Sequence, residues 1–315
     1  MSEEAKATNA PVPISLVLGA GGARGIAHIG VIRCLEDRGF DIRCIAGSSM
    51  GAVIGGIHAA GKLDIYEAWL RKLQRRDVLG LLDFSFSTRA LFKGDRIIRV
   101  LRELVGESNI EDLPIGFTAV ASDVNEQREV WLNRGPLFEA IRASMAVPMV
   151  FAPVIKDKML LVDGGLINPV PIAPTLQDHT ALTVAVDLNA LPEKDIALTE
   201  ADGSRGEEEA DSRSGSGYRQ VIGNYLGHLT RRSKFSEEGE LSTFELVYKS
   251  MATVQTAMTQ YMLAAYRPGL MIEIPSNLCT FFEFHRAAQL IDFGYQRTEE
   301  TLRRYERRSY VKDYF

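Results

Sequence analysis

The first sixty residues hold the same unit twice: an apolar strand, a run of glycines, then a helix. Ile14 to Leu18 is a short apolar run ending in glycines, and Ile26, Ile29, Ile32 and Leu35 follow at helical spacing until Gly39. Arg43 to Ala46 is a second strand. It meets Gly47-Ser48-Ser49-Met50-Gly51, and a helix of small residues runs on to about Ala60 with Gly61 behind it. Strands joined through helices in this way lie parallel in a sheet covered on its faces, so the class is α/β.

The alternation continues. Helices are expected near Ile65–Arg75 and Asp95–Val105, a strand pair over Phe117–Val124 and Glu129–Leu132, a helix over Leu137–Met145, a hairpin within Phe151–Val162 and a strand at Leu182–Leu188. No linker interrupts it. The expected organisation is therefore a flexible tail, 1–13, followed by one domain, 14–315. Pro192–Gly217 breaks the composition: it is acidic, rich in Gly and Ser, and has no aromatic before Tyr218. Such a stretch buries too little apolar surface to offset its ordering entropy, and it reads as a disordered surface insertion. A helical part, 218–315, follows. In it Val247, Met251, Val254, Met258 and Tyr261 form one apolar stripe, and Met271–Ile274 is a short strand. A last helix carries Arg297, Arg303, Arg304, Arg307 and Arg308 opposite its apolar face.

Composition narrows the function classes. The chain has 315 residues, 46% of them hydrophobic, and a net charge of −5, which gives no electrostatic reason to expect nucleic acid as a partner. Cys34, Cys44 and Cys279 are too few and too scattered for a disulfide framework or a four-ligand zinc site. No apolar run approaches the ~18–20 residues that span a bilayer. A cytoplasmic location is expected, with any contact at the inner membrane face peripheral.

Three motifs carry chemistry. Gly47-Ser48-Ser49-Met50-Gly51 fits Gly-x-Ser-x-Gly, in which a serine on a sharp strand-to-helix turn needs small neighbours. The helix that follows aims its positive end at the Ser49 oxygen. The pentapeptide alone is also compatible with a structural turn; the strand before it and the small-residue helix after it favour a nucleophile. Leu18 to Gly25 is the second motif. As a dinucleotide fingerprint it fails, because Arg24 stands at the third glycine and Asp41 precedes the second strand. It remains either an oxyanion hole or a site of close helix–sheet packing. The third, Leu161-Val162-Asp163-Gly164-Gly165, places an acid at the end of an apolar hairpin, or else forms an ordinary Asp-Gly turn.

Together and in this order, the motifs resemble those of the patatin-like phospholipases, especially the bacterial branch similar to neuropathy target esterase. The resemblance runs from about Ile14 to Asp187 and includes Ala27-His28-Ile29-Gly30, Arg142-Ala143-Ser144-Met145 with Pro148, and Asp163-Gly164-Gly165-Leu166. It implies a three-layer α/β/α sandwich with a mostly parallel central sheet. It also implies a serine acyl hydrolase acting on phospholipids, lysophospholipids or simpler acyl esters, without metal or cofactor. Carried over residue by residue, Ser49 is the nucleophile and Asp163 its dyad partner. The oxyanion hole falls on Gly21, Gly22, Ala23 and Arg24, with Arg24 supporting the loop. Gly19, Gly25, Gly47, Gly51, Gly164 and Gly165 shape the motifs. One departure stands out: the family usually has Gly where this chain has Ala20, which is tolerable if its φ is negative.

Other readings compete. A Ser-Asp-His triad needs a histidine in third place; of the five (His28, His58, His179, His228, His285), His179 and His228 satisfy that order, and neither sits in a recognisable motif. Asp77–Phe92 is apolar enough for a lid or membrane-touching loop, or for core. Met251, Met258 and Met262 line an acyl channel or pack in the core. A regulator that binds lipid or nucleotide without turnover uses the same fold, but the presence of both Ser49 and Asp163 argues against it.

Overall fold

The computed structural model describes residues 10–83, 90–194, 196 and 243–312. The expected insertion lies almost wholly outside the described residues, as do residues 84–89 of the proposed lid, the first nine residues of the tail and His228.

Ten strands and eight helices are described. In chain order they are β1 (Val12–Leu18), α1 (Ala27–Asp37), β2 (Phe40–Ser48), α2 (Met50–Ala59), α3 (Leu63–Leu70), α4 (Arg75–Leu81), β3 (Ala90–Phe92), α5 (Asp95–Val105) and β4 (Gly116–Asp123). There follow β5 (Arg128–Leu132), α6 (Leu137–Ser144), β6 (Met149–Phe151), β7 (Val154–Lys156), β8 (Met159–Asp163), β9 (Leu182–Ala190), α7 (Thr243–Ala265), β10 (Leu270–Pro275) and α8 (Ala287–Lys312). Eight strands form the central sheet in the order β10-β9-β1-β2-β4-β8-β7, with β5 also on β4. The run from β10 to β4 is parallel; β5, β7 and β8 join antiparallel. β3 and β6 form a separate parallel pair.

Alternation along the strands divides the core in two. Ile14, Leu16 and Leu18 of β1 and Val184, Val186 and Leu188 of β9 face one large cluster with residues of α1, α2, α5, α6 and α8. Val17 and Ala185, one residue out of phase, face the opposite side. There Val170, Ile172, Leu263 of α7 and Tyr266 just beyond it cover them. Helical layers on both faces make this the three-layer sandwich with a mostly parallel sheet. No described helix is long and apolar enough to cross a membrane.

Three expectations are corrected. β1 begins at Val12, whose amide donates to Gly39 O at 3.2 Å, so residues 12 and 13 belong to the sheet and not to the tail. The helix expected over Ile65–Arg75 ends at Leu70, and Arg75 opens a second helix, α4, whose start is set by a capping box between Gln74 and Asp77. In α7 the stripe does not face inward as a unit. Val254 and Tyr261 are 48% and 72% exposed, while Thr259 is buried and Gln255 lines the site. The helix lies over a polar recess, so its inner face is mixed. In the last helix Arg297 pairs with Glu193, Arg303 with Glu299 and Arg304 with Glu300.

Candidate active site

Sheet register sets the site. Leu18 is level with Gly47, Ser48 with Val120, and Ala121 with Asp163. Three motifs remote in sequence therefore meet at the carboxyl ends of the parallel strands, where open α/β sheets bind ligands.

Ser49 links β2 to α2 at φ 55°, ψ −123°, a conformation costly for a non-glycine residue and held only by its surroundings. Gly47 and Gly51 permit it. A Cβ on Gly51 would lie 2.0 Å from the Leu18 carbonyl oxygen, and one on Gly47 would lie 2.5 Å from the Gly51 backbone. The turn thus brings α2 against the end of β1, and only hydrogen fits between. Ser48 points away, donating to the Asn168 carbonyl at 2.8 Å. Ser144, at the end of α6, accepts from the Ser49 amide at 3.0 Å and donates to Val120 O at 2.6 Å. Ser144 lies in the Arg142–Met145 motif, where residue type alone carries no sign of this role.

Loss of that hydroxyl leaves two buried backbone groups unsatisfied. Ser144→Ala is expected to cost about 1–3 kcal/mol of stability, read as a lower denaturant midpoint, together with slower covalent labelling of Ser49. An unchanged midpoint and labelling rate would show that the elbow holds itself.

Asp163 ends β8 and is 2% exposed. Its Oδ1 accepts from the Gly165 amide at 2.7 Å, which orients the carboxylate, and its backbone carbonyl accepts from Ser122 at 3.0 Å. Oδ2 has no partner. Burial pushes the Asp163 carboxyl up to about 7, against the opposing pull of the Ser49 hydroxyl and the Gly165 amide. The Ser49 hydroxyl lies near enough to act on the carboxylate.

The glycine loop runs from Gly19 into a 3-10 turn, Gly22–Ile26, that contains Gly25. Gly19 and Ala20 donate to Val186 O and Pro169 O, and Ala20 does not take a positive φ, so it fits where glycine is usual. Gly22 is at φ +55°, with the Phe281 ring where a Cβ would stand. Among the described residues, no backbone acceptor takes the Gly21 or Gly22 amide. The Ala23 amide, expected among the oxyanion donors, is instead engaged by Phe281 O at 3.0 Å. Arg24 works through its side chain: it donates to Leu188 O and to Asn189 Oδ1, while Asn189 donates to Ala20 O. Arg24 and Asn189 thus tie the loop to the end of β9. Asn189 had no sequence signal.

Two cavities meet at Ser49. One, a recess of about 390 Å³, is lined by Gly21, Gly22, Arg24, Asp163 and, from α7, Met251 and Gln255. The other is a slot of about 770 Å³ measured out to its mouth. Beyond Gly22 and Ser49 it is lined entirely by apolar and aromatic residues of α2 to α5 and of the 145–151 and 281–284 segments. Met251 therefore faces the recess and not the slot, and Met258 and Met262 line neither. Val78, Leu81 and Leu82 bring part of the proposed lid into the slot wall.

No described histidine lines either cavity. His28 is buried, its Nε2 lies 2.9 Å from Gly19 O, and burial lowers it to about 4. His58 is likewise lowered to about 4 by burial and faces Glu36. His179 and His285 are exposed. Among the described residues, no three His, Cys, Asp or Glu side chains are grouped to hold a metal.

Residues 16–176 match the family model described as patatin-like phospholipase. An uncharacterised NTE family protein of Mycobacterium tuberculosis is 38% identical, over 93% of this chain and 92% of that one. Lysophospholipase nte1 of Emericella nidulans is 25% identical, over 92% of this chain and 18% of its own. The crystal structure of VipD from Legionella pneumophila aligns with a TM-score of 0.45 at 13% identity, covering 94% of this chain and 67% of that one.

Proposed function

From the premise that this chain belongs to the patatin-like phospholipase family, we propose that it is a serine acyl hydrolase of lipid esters. In this reading Ser49 is the nucleophile and Asp163 the sole base. What supports it most is the meeting at one strained serine of an apolar slot, a polar recess and a buried carboxylate with a free oxygen. The slot matches an acyl chain and the recess an alcohol or head group.

Asp163 takes the Ser49 proton as Oγ attacks the ester carbonyl. The Gly21 and Gly22 amides, with the amino end of α2, receive the oxyanion. The proton passes to the departing alkoxide. Water, deprotonated by the same carboxylate, then cleaves the acyl-enzyme and regenerates Ser49. A relative named lysophospholipase makes lysophospholipids the first natural substrates to assay.

A fluorophosphonate probe tests the reading, because only an activated serine reacts. Stoichiometric labelling is expected in the wild type and none in Ser49→Ala. A wild type that does not label would favour a binding protein on the same fold.

A further inference from the structure

The slot has two ends that its walls identify. Ser49, Gly22, Val147 and Phe281 are shared with the polar recess, so they mark the catalytic end. Trp69, Leu73 and Leu81 are shared instead with a surface groove of about 590 Å³, on which Lys72, Asp77 and Val100 also open. The three shared side chains are half-buried, one flank toward the slot and the other toward the groove. They are a partition one side chain thick. Between the two ends lie buried residues such as Val53, Tyr66 and Leu70. The Trp69 indole is stacked on Tyr66, with ring centroids 5.7 Å apart and an interplanar angle of 26°, so it does not swing freely.

We propose that Trp69, backed by Leu73 and Leu81, is the stop for the far end of the acyl chain and sets the longest acyl group the protein hydrolyses. This deepens the reading of Ser49 as an acyl-transfer nucleophile and rests on it. A chain attached at Ser49 has an apolar path along α2 toward α3 and α4, and its terminal methyl reaches the partition. Removing the indole joins the slot to the groove, so longer chains run on toward the surface.

The first test is the dependence of kcat/KM on acyl length for p-nitrophenyl esters. In the wild type each added methylene is expected to raise kcat/KM by up to about fourfold until the chain meets the partition, after which the value falls. In Trp69→Ala the optimum moves to longer chains, and the ratio of kcat/KM for an ester two methylenes past the wild-type optimum to that for butyrate rises by about tenfold. Leu81→Ala, at the same partition, shifts the optimum in the same direction and guards against a folding defect peculiar to the tryptophan change. An unmoved optimum in folded variants, or an equal loss at every length, overturns the proposal.

The second test needs no turnover. The chain has two tryptophans, and Trp131→Phe leaves Trp69 alone to report. In a Ser49→Ala, Trp131→Phe protein, fatty acids brominated near the far end should quench Trp69 fluorescence more strongly than those brominated near the carboxyl group. Stronger quenching by the carboxyl-end label, or none, overturns the stop. Because this readout is independent of Ser49, a protein that quenches as expected yet fails to label with fluorophosphonate would refute the hydrolase while leaving the acyl stop supported.

Discussion

Ser49→Ala and Asp163→Asn are each expected to abolish nearly all ester turnover, by at least the 10²–10⁴ that a lost general base typically costs. The double variant should be little slower than either single one. Two groups that act on one proton lose their effect together, so their energies do not add. The geometry makes the case sharper than the motifs could. Asp163 is oriented by the Gly165 amide and has one carboxylate oxygen free, and no described histidine lines either cavity at Ser49. Single replacement of His179, His228 or His285 should leave kcat/KM within about tenfold of wild type. His28 is a separate case: it faces the Gly19 carbonyl, so His28→Ala should lower stability before it lowers chemistry. The assay is steady-state hydrolysis by variants whose folding is checked by circular dichroism. A folded His179→Ala or His228→Ala as inactive as Ser49→Ala would replace the dyad with a triad.

The pH dependence follows from the raised Asp163 carboxyl. A base must be ionised to work, so kcat/KM should be flat above about pH 7 and fall about tenfold per pH unit below it, with the limb set by the value of about 7. An unperturbed carboxylate would keep the proposed activity to about pH 4. The same limb resembles a histidine's, which is why the stability of Asp163→Asn is the discriminating measurement. The folded-state value lies above the unfolded one, so the folded state holds a proton that the unfolded state has lost between about pH 4 and 7. The stabilising contribution of Asp163 is therefore complete below about pH 4 and gone above about pH 7. Asn carries no such dependence. Asp163→Asn should be more stable than wild type at pH 8, and its advantage should exceed that at pH 5 by roughly 1–3 kcal/mol. Denaturant titrations at the two pH values check it. An advantage that does not grow with pH would mean that Asp163 is not held at raised pKa by burial.

Much of the fold was legible because it is local. Apolar runs ending in glycine read as β1 and β2, small-residue spacing as α2, and the Phe117–Leu132 pair as the antiparallel β4 and β5, each within one or a few residues of its bounds. What escaped was what side chains do at a distance. The break between α3 and α4 turns on a reciprocal bond between Gln74 and Asp77. The inward face of α7 follows from the recess beneath it, a fact no helical periodicity contains.

The sequence by itself determined where the backbone bends. Gly47, Gly51 and Gly22 allow the elbow and the loop, because only a residue without Cβ tolerates those contacts, and that constraint is local to each position. Only the tertiary structure decided what the bends present to one another. Register brings Asp163 to the carboxyl end of β2, where Ser49 follows. Phe281, far along the chain, takes the Ala23 amide and leaves those of Gly21 and Gly22. Burial, not residue type, moves the Asp163 carboxyl to where it can serve as a base near neutral pH. These properties depend on desolvation and on strand pairing between segments remote in sequence, and both come into being only when the core closes.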